Sequence, residues 1–188
     1  MHLRMVKERA YDVNALQAQL AAHPQCWNAV RLRTEHPQSP HREVSDIWVR
    51  YNPIENYHGD MRAFNAEHIA QWYPVTDVLT EAKRLSLEIA ADYGAQELGM
   101  VLITKIPAGK QVYPHVDGGW HARHYEKLAV QVHGDERQAF HFEGERLVTR
   151  DGDLFQFDNA FPHWVMNHSD VDRVTMIVCI RGPDEGMR

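Results

Sequence analysis

The chain is poor in cysteine, in long apolar runs and in positive charge, and each shortage removes a class of protein. Cys26 and Cys179 are its only two cysteines. They lie far apart with no CxxC spacing, so no disulfide framework is implied. No stretch approaches the roughly 18 apolar residues a membrane helix needs, so no membrane span is expected. Met1 to Arg9 contains no apolar h-region, which argues against a secretory signal and makes a cytoplasmic location the expectation. The formal net charge is -6, and a nucleic-acid partner would require a basic face. Internal repeats and low-complexity tracts are also missing.

What is present is ordinary apart from histidine. The 188 residues, 44% hydrophobic and 24% charged, suit one full-sized soluble domain. The expected division is a mixed part with helices over 1–95, then a strand-rich core over 96–182. Thirteen histidines is a high count for this length, and most must be surface residues.

Local patterns place the elements. A first helix is predicted from Val13 to Ala22, with Asp12 as N-cap and Pro24 ending it. A second is predicted from Asp77 to Tyr93, capped by Thr76. Val78, Ala82, Leu85 and Ile89 form its apolar stripe, and Gly94 fits the position after its end. Asp46 to Tyr51 reads as an edge strand. From Met100 onward, short runs of β formers alternate with turn signals such as Pro107-Ala108-Gly109-Lys110 and Asp151-Gly152-Asp153. Gly118-Gly119 opens a loop running to about Tyr125. Strands this short predict a sandwich or barrel.

His115-Val116-Asp117 carries the chemistry. Residues i and i+2 of a strand share a face, so His115 and Asp117 project together as adjacent ligands must. Two imidazoles and one carboxylate leave half of an iron coordination sphere open, the ligand set of non-haem iron(II) oxygenases. His163 is the favoured second imidazole. His168 is its rival, but it sits in the turn before the last strand, where a ligand is less firmly fixed. Arg173 opens an almost wholly apolar strand, and a cation there needs a partner. That partner is either a neighbouring acid, Asp170 or Asp172, or the far carboxylate of 2-oxoglutarate, gripped by the guanidinium fork.

Three blocks resemble the aspartyl/asparaginyl β-hydroxylase family of iron(II)/2-oxoglutarate dioxygenases: Thr104 to His115 with Asp117, Gly152 to His163, and Arg173 to Ile180. The ten-residue interval from His163 to Arg173 is the family's usual one. The region from Trp27 through Arg31 to Tyr51 is similar more loosely. The resemblance implies a mainly β, double-stranded β-helix (jelly-roll, cupin-like) with flanking N-terminal helices. It also implies His115, Asp117 and His163 as metal ligands, Arg173 as the main 2-oxoglutarate anchor, and Thr104 as a hydroxyl touching that co-substrate. One departure stands out. Where the family carries Arg-x-His after the HxD loop, this chain has Lys127-Leu128-Ala129. Lys127 retains a charge for the co-substrate, but Ala129 has no side-chain hydrogen bond to offer.

On the substrate side, the Gly118 to His124 loop is expected to line the entrance. Trp120 would cover the substrate, and Arg123 or Arg50 would bind a substrate carboxylate. The expected activity is hydroxylation of an amino-acid-type C–H bond, free or peptidyl and Asp/Asn-like. Iron(II), 2-oxoglutarate and dioxygen are consumed or used, with succinate and carbon dioxide as co-products. Two alternatives stay open: a non-catalytic cupin-like module binding a metal or small molecule, and an oxygenase of another small molecule. Substrate identity, stereochemistry and oligomeric state are not written in the sequence.

Overall fold

The computed structural model describes residues 1–182. Its strands are β1 (Leu3–Lys7), β2 (Ser45–Tyr51), β3 (Gln71–Trp72), β4 (Glu97–Ile106), β5 (Gln111–His115), β6 (Glu126–His133), β7 (Gln138–Phe142), β8 (Glu145–Leu147), β9 (Leu154–Phe157), β10 (His163–Asn167) and β11 (Arg173–Arg181). The helices are α1 (Asn14–Ala22), α2 (Met61–Phe64), α3 (Thr80–Asp92) and α4 (Gly119–His124).

The strands form a seven-stranded sheet, ordered β1-β9-β6-β11-β4-β2-β3, and a four-stranded sheet, ordered β5-β10-β7-β8. From β4 to β11 the chain passes back and forth between the two sheets, and every pairing is antiparallel. This is the double-stranded β-helix. The N-terminal part adds β2 and β3 at one edge of the larger sheet and β1 at the other.

Alternation along the strands sorts side chains into two layers. On β11, Val174, Met176, Val178 and Ile180 join a buried cluster with Leu16 and Leu20 of α1 and Ala82, Leu85 and Ile89 of α3. The intervening Arg173, Thr175 and Ile177 line the space between the sheets. Strand β6 does the same: Leu128, Val130 and Val132 meet the helices, while Lys127 and Ala129 line the inter-sheet space. Each fully buried Leu or Ile in the helix-facing layer is worth about 1.5–3 kcal/mol. That layer therefore carries much of the fold's stability and leaves the inter-sheet face open to polar residues.

Several local expectations need correction. The second helix starts at Thr80, after a separate 3-10 turn over Pro74–Asp77. Thr76 is therefore no cap, and its hydroxyl donates to the Tyr73 carbonyl at 2.9 Å. Ala82, Leu85 and Ile89 are buried as expected, but ahead of the helix Leu79 is buried in place of Val78, which is 39% exposed. Gly94 does follow the helix end, with φ of 59°. Val13, not Asp12, is the N-cap residue of α1, although the Asp12 carboxylate accepts from the Asn14 N–H at 3.0 Å. Strand β2 is paired on both sides, with β4 and with the two-residue β3, and so is not an edge. The supposed loop after Gly118 contains α4. Gly119, at φ of 86°, makes the turn into it in the left-handed region that other residues avoid.

Candidate metal and co-substrate site

His115 ends β5 and His163 begins β10, and the register of these neighbouring strands sets the two opposite one another. Their rings lie 4.3 Å apart, centroid to centroid. Each ring is oriented the same way. His115 Nδ1 donates to the Tyr113 carbonyl at 2.8 Å, and His163 Nδ1 to the Phe161 carbonyl at 2.9 Å. A carbonyl only accepts, so the proton sits on Nδ1 and the Nε2 lone pair is left for the site. Asp117 completes the set. Its backbone N–H donates to the Asn159 carbonyl at 3.0 Å, and its carboxylate oxygens lie 3.5 Å from His115 Nε2 and 3.8 Å from His163 Nε2. The donor atoms of the three residues lie within 4.8 Å of one another.

The donor set fits a divalent first-row metal. Burial pushes the His163 imidazole down to about 4, so it is neutral and able to ligate. Burial alone would raise Asp117. The Lys127 charge and the hydrogen bond from its ammonium outweigh it and hold the carboxyl well below its ordinary value. Backbone acceptors behind both histidines are the supporting contacts that fix a ligand's tautomer and aim. His168 is exposed, follows the far end of β10, and is outside this cluster.

Beneath the triad a small cavity runs between the sheets. Phe140, Phe155, Phe157 and Val165 line it, and Arg173 reaches it from β11. Arg173 is only 3% exposed, and burial pushes its guanidinium down to about 10. Neither acid considered as its partner pairs with it. Asp170 pairs with Arg137 at 2.6 Å, and Asp172 with Lys105 at 3.8 Å. Arg173 donates instead to the hydroxyls of Thr175 at 2.6 Å and Thr149 at 3.5 Å.

The other expected residues are placed differently. Lys127 borders the cavity, but its ammonium pairs with the Asp117 carboxylate. Thr104 also lines the cavity, but its hydroxyl is already used. It accepts from Arg33 Nη2 at 3.0 Å and gives its one proton to Asp46 Oδ1 at 2.9 Å. It has no proton left for a co-substrate carboxylate.

A second, outer chamber of about 1100 Å³, open to solvent, adjoins the triad and shares Arg33, His41, His115, Asp117 and Lys127 with the first. Its remaining walls include Trp48, Tyr51, Asn65, Met100 and His121. Trp120, Arg123 and Arg50 are not among its lining residues. Trp120 stacks on His124 of its own helix at 4.7 Å. Arg123 is exposed. Arg50 donates to the Leu98 carbonyl at 3.2 Å and stands over the Trp72 ring at 5.0 Å. A register shift in β2 between Trp48 and Arg50 breaks the alternation and turns Tyr51 to the chamber in its place.

Arg33, His41 and Asp46 were not singled out from the sequence. Arg33 grips the fully buried Asp46 through Nε at 2.7 Å and Nη2 at 3.0 Å. His41 lies edge-on to His115 at 4.6 Å and is kept well below its ordinary value by burial and the Arg33 charge. The only sequence hint was the loose similarity around Trp27 and Arg31, and the arginine that enters the site is two residues further on.

Proteins of known structure share this fold. An oxidoreductase of the 2OG-Fe(II) oxygenase family from Burkholderia pseudomallei is similar in structure, with TM-score 0.57 and 14% identity over 95% of this chain and 84% of that one. A prolyl hydroxylase from Trichoplax adhaerens, in complex with a hypoxia inducible factor peptide fragment, gives TM-score 0.55 and 11% identity over 95% and 83%. A viral collagen prolyl hydroxylase from Paramecium Bursaria Chlorella virus-1, in its 2OG complex, gives 0.52 and 10% over 97% of both chains. At these identities the likeness is one of fold. No curated protein matches the sequence significantly. The model of the Aspartyl/Asparaginyl beta-hydroxylase family, however, matches residues 9–183, nearly the whole chain. The chain therefore belongs to the aspartyl/asparaginyl β-hydroxylase family and is a 2-oxoglutarate-dependent hydroxylase working with iron(II) and dioxygen.

Proposed function

We propose that the protein hydroxylates a C–H bond of an amino-acid-type substrate, free or peptidyl and of the aspartyl or asparaginyl kind. His115, Asp117 and His163 would hold the iron, and Arg173 would anchor the far carboxylate of 2-oxoglutarate. The observation that carries this reading is Arg173 itself: a buried cation beside a two-histidine, one-carboxylate cluster, with no carboxylate partner among the described residues. Leaving such a charge without an anion costs about 3–5 kcal/mol. A metal-binding cupin module without a keto acid has no use for it.

Iron(II), when bound, supplies activation of dioxygen coupled to decarboxylation of 2-oxoglutarate to succinate and carbon dioxide. The chain's own residues provide position and environment. The two Nδ1 hydrogen bonds keep both imidazoles aimed inward. The phenylalanine walls fit the methylene chain of the keto acid and exclude water. Lys127 brings a second cation to the cavity wall. Thr104 is left out of the co-substrate contacts because its proton is committed to Asp46. The outer chamber would receive the substrate, with Trp48, Tyr51, Asn65 and His121 replacing Trp120, Arg123 and Arg50 as its wall.

The test is succinate release from 2-oxoglutarate by the iron(II) protein across a panel of amino acids and peptides, led by aspartyl and asparaginyl compounds. Release stimulated by members of that panel supports the proposal. An iron(II) form that does not bind 2-oxoglutarate would overturn it in favour of the binding module.

A further inference from the structure

Arg173 is held by two threonine hydroxyls, and the structure shows what turns those hydroxyls toward it. Thr149 lies between β8 and β9, and Thr175 lies on β11. Both also contact Gln131 of β6, which is completely buried. Gln131 Oε1 is 2.7 Å from the Thr149 hydroxyl and 3.4 Å from that of Thr175.

The amide of Gln131 has only one workable orientation. The β6–β11 ladder shifts register between Val174, opposite His133, and Thr175, opposite Gln131. The side-chain NH₂ of Gln131 donates to the two carbonyls at this shift, His133 at 2.7 Å and Val174 at 2.9 Å. Reversing the amide would set its oxygen against two acceptors. The NH₂ is therefore tied to the bulge, and Oε1 must face the threonines. Each hydroxyl has a single proton, and both protons point to Oε1. Their lone pairs are left for the donor-only guanidinium. Packing holds the arrangement tightly: a Cβ on Gly134 would come within 3.0 Å of both Gln131 Cγ and the Thr149 carbonyl oxygen.

We infer that Gln131 is a positioning residue for the co-substrate anchor, acting through Thr149 and Thr175. It orients Arg173 with neutral acceptors only, so the full cationic charge remains for an anion in the cavity. A carboxylate at either threonine position would hold the arginine as well but would cancel the charge the ligand needs. This inference rests on the proposed role of Arg173.

The experiment measures 2-oxoglutarate binding to the anaerobic iron(II) protein by calorimetry. A parallel series uses pyruvate, a 2-oxo acid without the far carboxylate. Thr149→Val, which removes the hydroxyl at constant shape, should weaken 2-oxoglutarate binding about 5- to 10-fold, the value of one ordinary hydrogen bond, since the Arg173–Thr149 contact is long at 3.5 Å. Thr149→Ser should restore it to within about 2-fold. Gln131→Met should weaken it by about 10-fold or more, because both hydroxyls lose their orienter. Pyruvate affinity should stay unchanged in all three. Equal losses for both keto acids, or a folded Thr149→Val that binds 2-oxoglutarate as the wild type does while Arg173→Ala does not, would overturn the inference. Since Gln131→Met leaves two carbonyls unpaired and can fail to fold, the threonine pair alone decides the matter. If Arg173→Ala itself binds 2-oxoglutarate normally, the anchor reading fails and takes this inference with it.

Discussion

Lys127 and Arg173 line the same cavity, yet the fold treats their charges in opposite ways. Lys127, near the triad, is paired with the Asp117 carboxylate. Arg33, at the border with the outer chamber, is likewise paired with Asp46. Arg173, between the sheets, meets two hydroxyls and, among the described residues, no acid. Compensated charges cement a site, whereas an uncompensated buried cation is costly unless an anion arrives. On the proposed function, this contrast would seat an anionic ligand beside Arg173 and a metal at the triad.

The largest effect expected from breaking this contrast lies at the upper end. His115→Ala, Asp117→Ala and His163→Ala should each abolish stoichiometric iron(II) binding in an anaerobic titration, while His168→Ala should bind normally. Loss of metal on changing His168, with His163→Ala still loaded, would show that the wrong histidine has been assigned.

Next comes the lower end. Arg173→Ala should leave iron(II) affinity intact and weaken 2-oxoglutarate binding by about 100-fold, since a hydrogen bond to a charged group is worth up to about 3 kcal/mol. Arg173→Lys should recover part of the loss, because an ammonium lacks the two-pronged geometry. If the Ala variant lost both ligands together, the two ends could not be assigned separate tasks.

A smaller effect separates the two ends by pH. The folded pKa of His163, about 4, lies below its ordinary 6.5 because burial disfavours the cation. Between these values the unfolded chain binds a proton that the folded one does not. Stability therefore rises with pH through this window and is lost as pH falls from 6.5 toward 4. For the metal-free protein the contribution is on the order of 1–3 kcal/mol. Urea unfolding across this range should be less pH-dependent in His163→Gln. His121, pushed down to about 3 mainly by burial, adds a slope of the same sign that should survive. An unchanged slope in His163→Gln would contradict the burial argument.

The smallest effect is the control. Asp170→Asn should leave 2-oxoglutarate affinity unaltered, because Asp170 pairs with the exposed Arg137 and not with Arg173. A change of several-fold would mean that Arg173 has an acidic partner in solution after all.

Much of the fold was legible because it is written locally. Turn residues between short runs of β formers mark the eight strands β4 to β11. The i and i+2 spacing of His115 and Asp117 is enough to place both on one face. Arg173 at the head of an apolar strand is enough to demand an anion. The errors were local too: Pro74 starts a separate turn, so α3 begins only at Thr80 and Leu79 is buried in place of Val78, and a register shift in β2 exchanges Arg50 for Tyr51.

By itself, then, the sequence determined the element pattern, the shared face of His115 and Asp117, and a buried arginine at the head of β11 in need of a partner, since each depends on residues a few positions apart or on the chemistry of one side chain. The β5–β10 register decided that His163, not His168, meets them. Tertiary structure alone decided who stands beside them. Arg33 reaches Thr104 across 71 residues, and Gln131 reaches Thr175 across 44. Those meetings follow from strand order and ladder register, and no local pattern encodes them. For the same reason the commitment of Thr104's proton to Asp46, the pairing of Lys127 with Asp117 and the orientation of the Gln131 amide emerge only once the sheets are assembled.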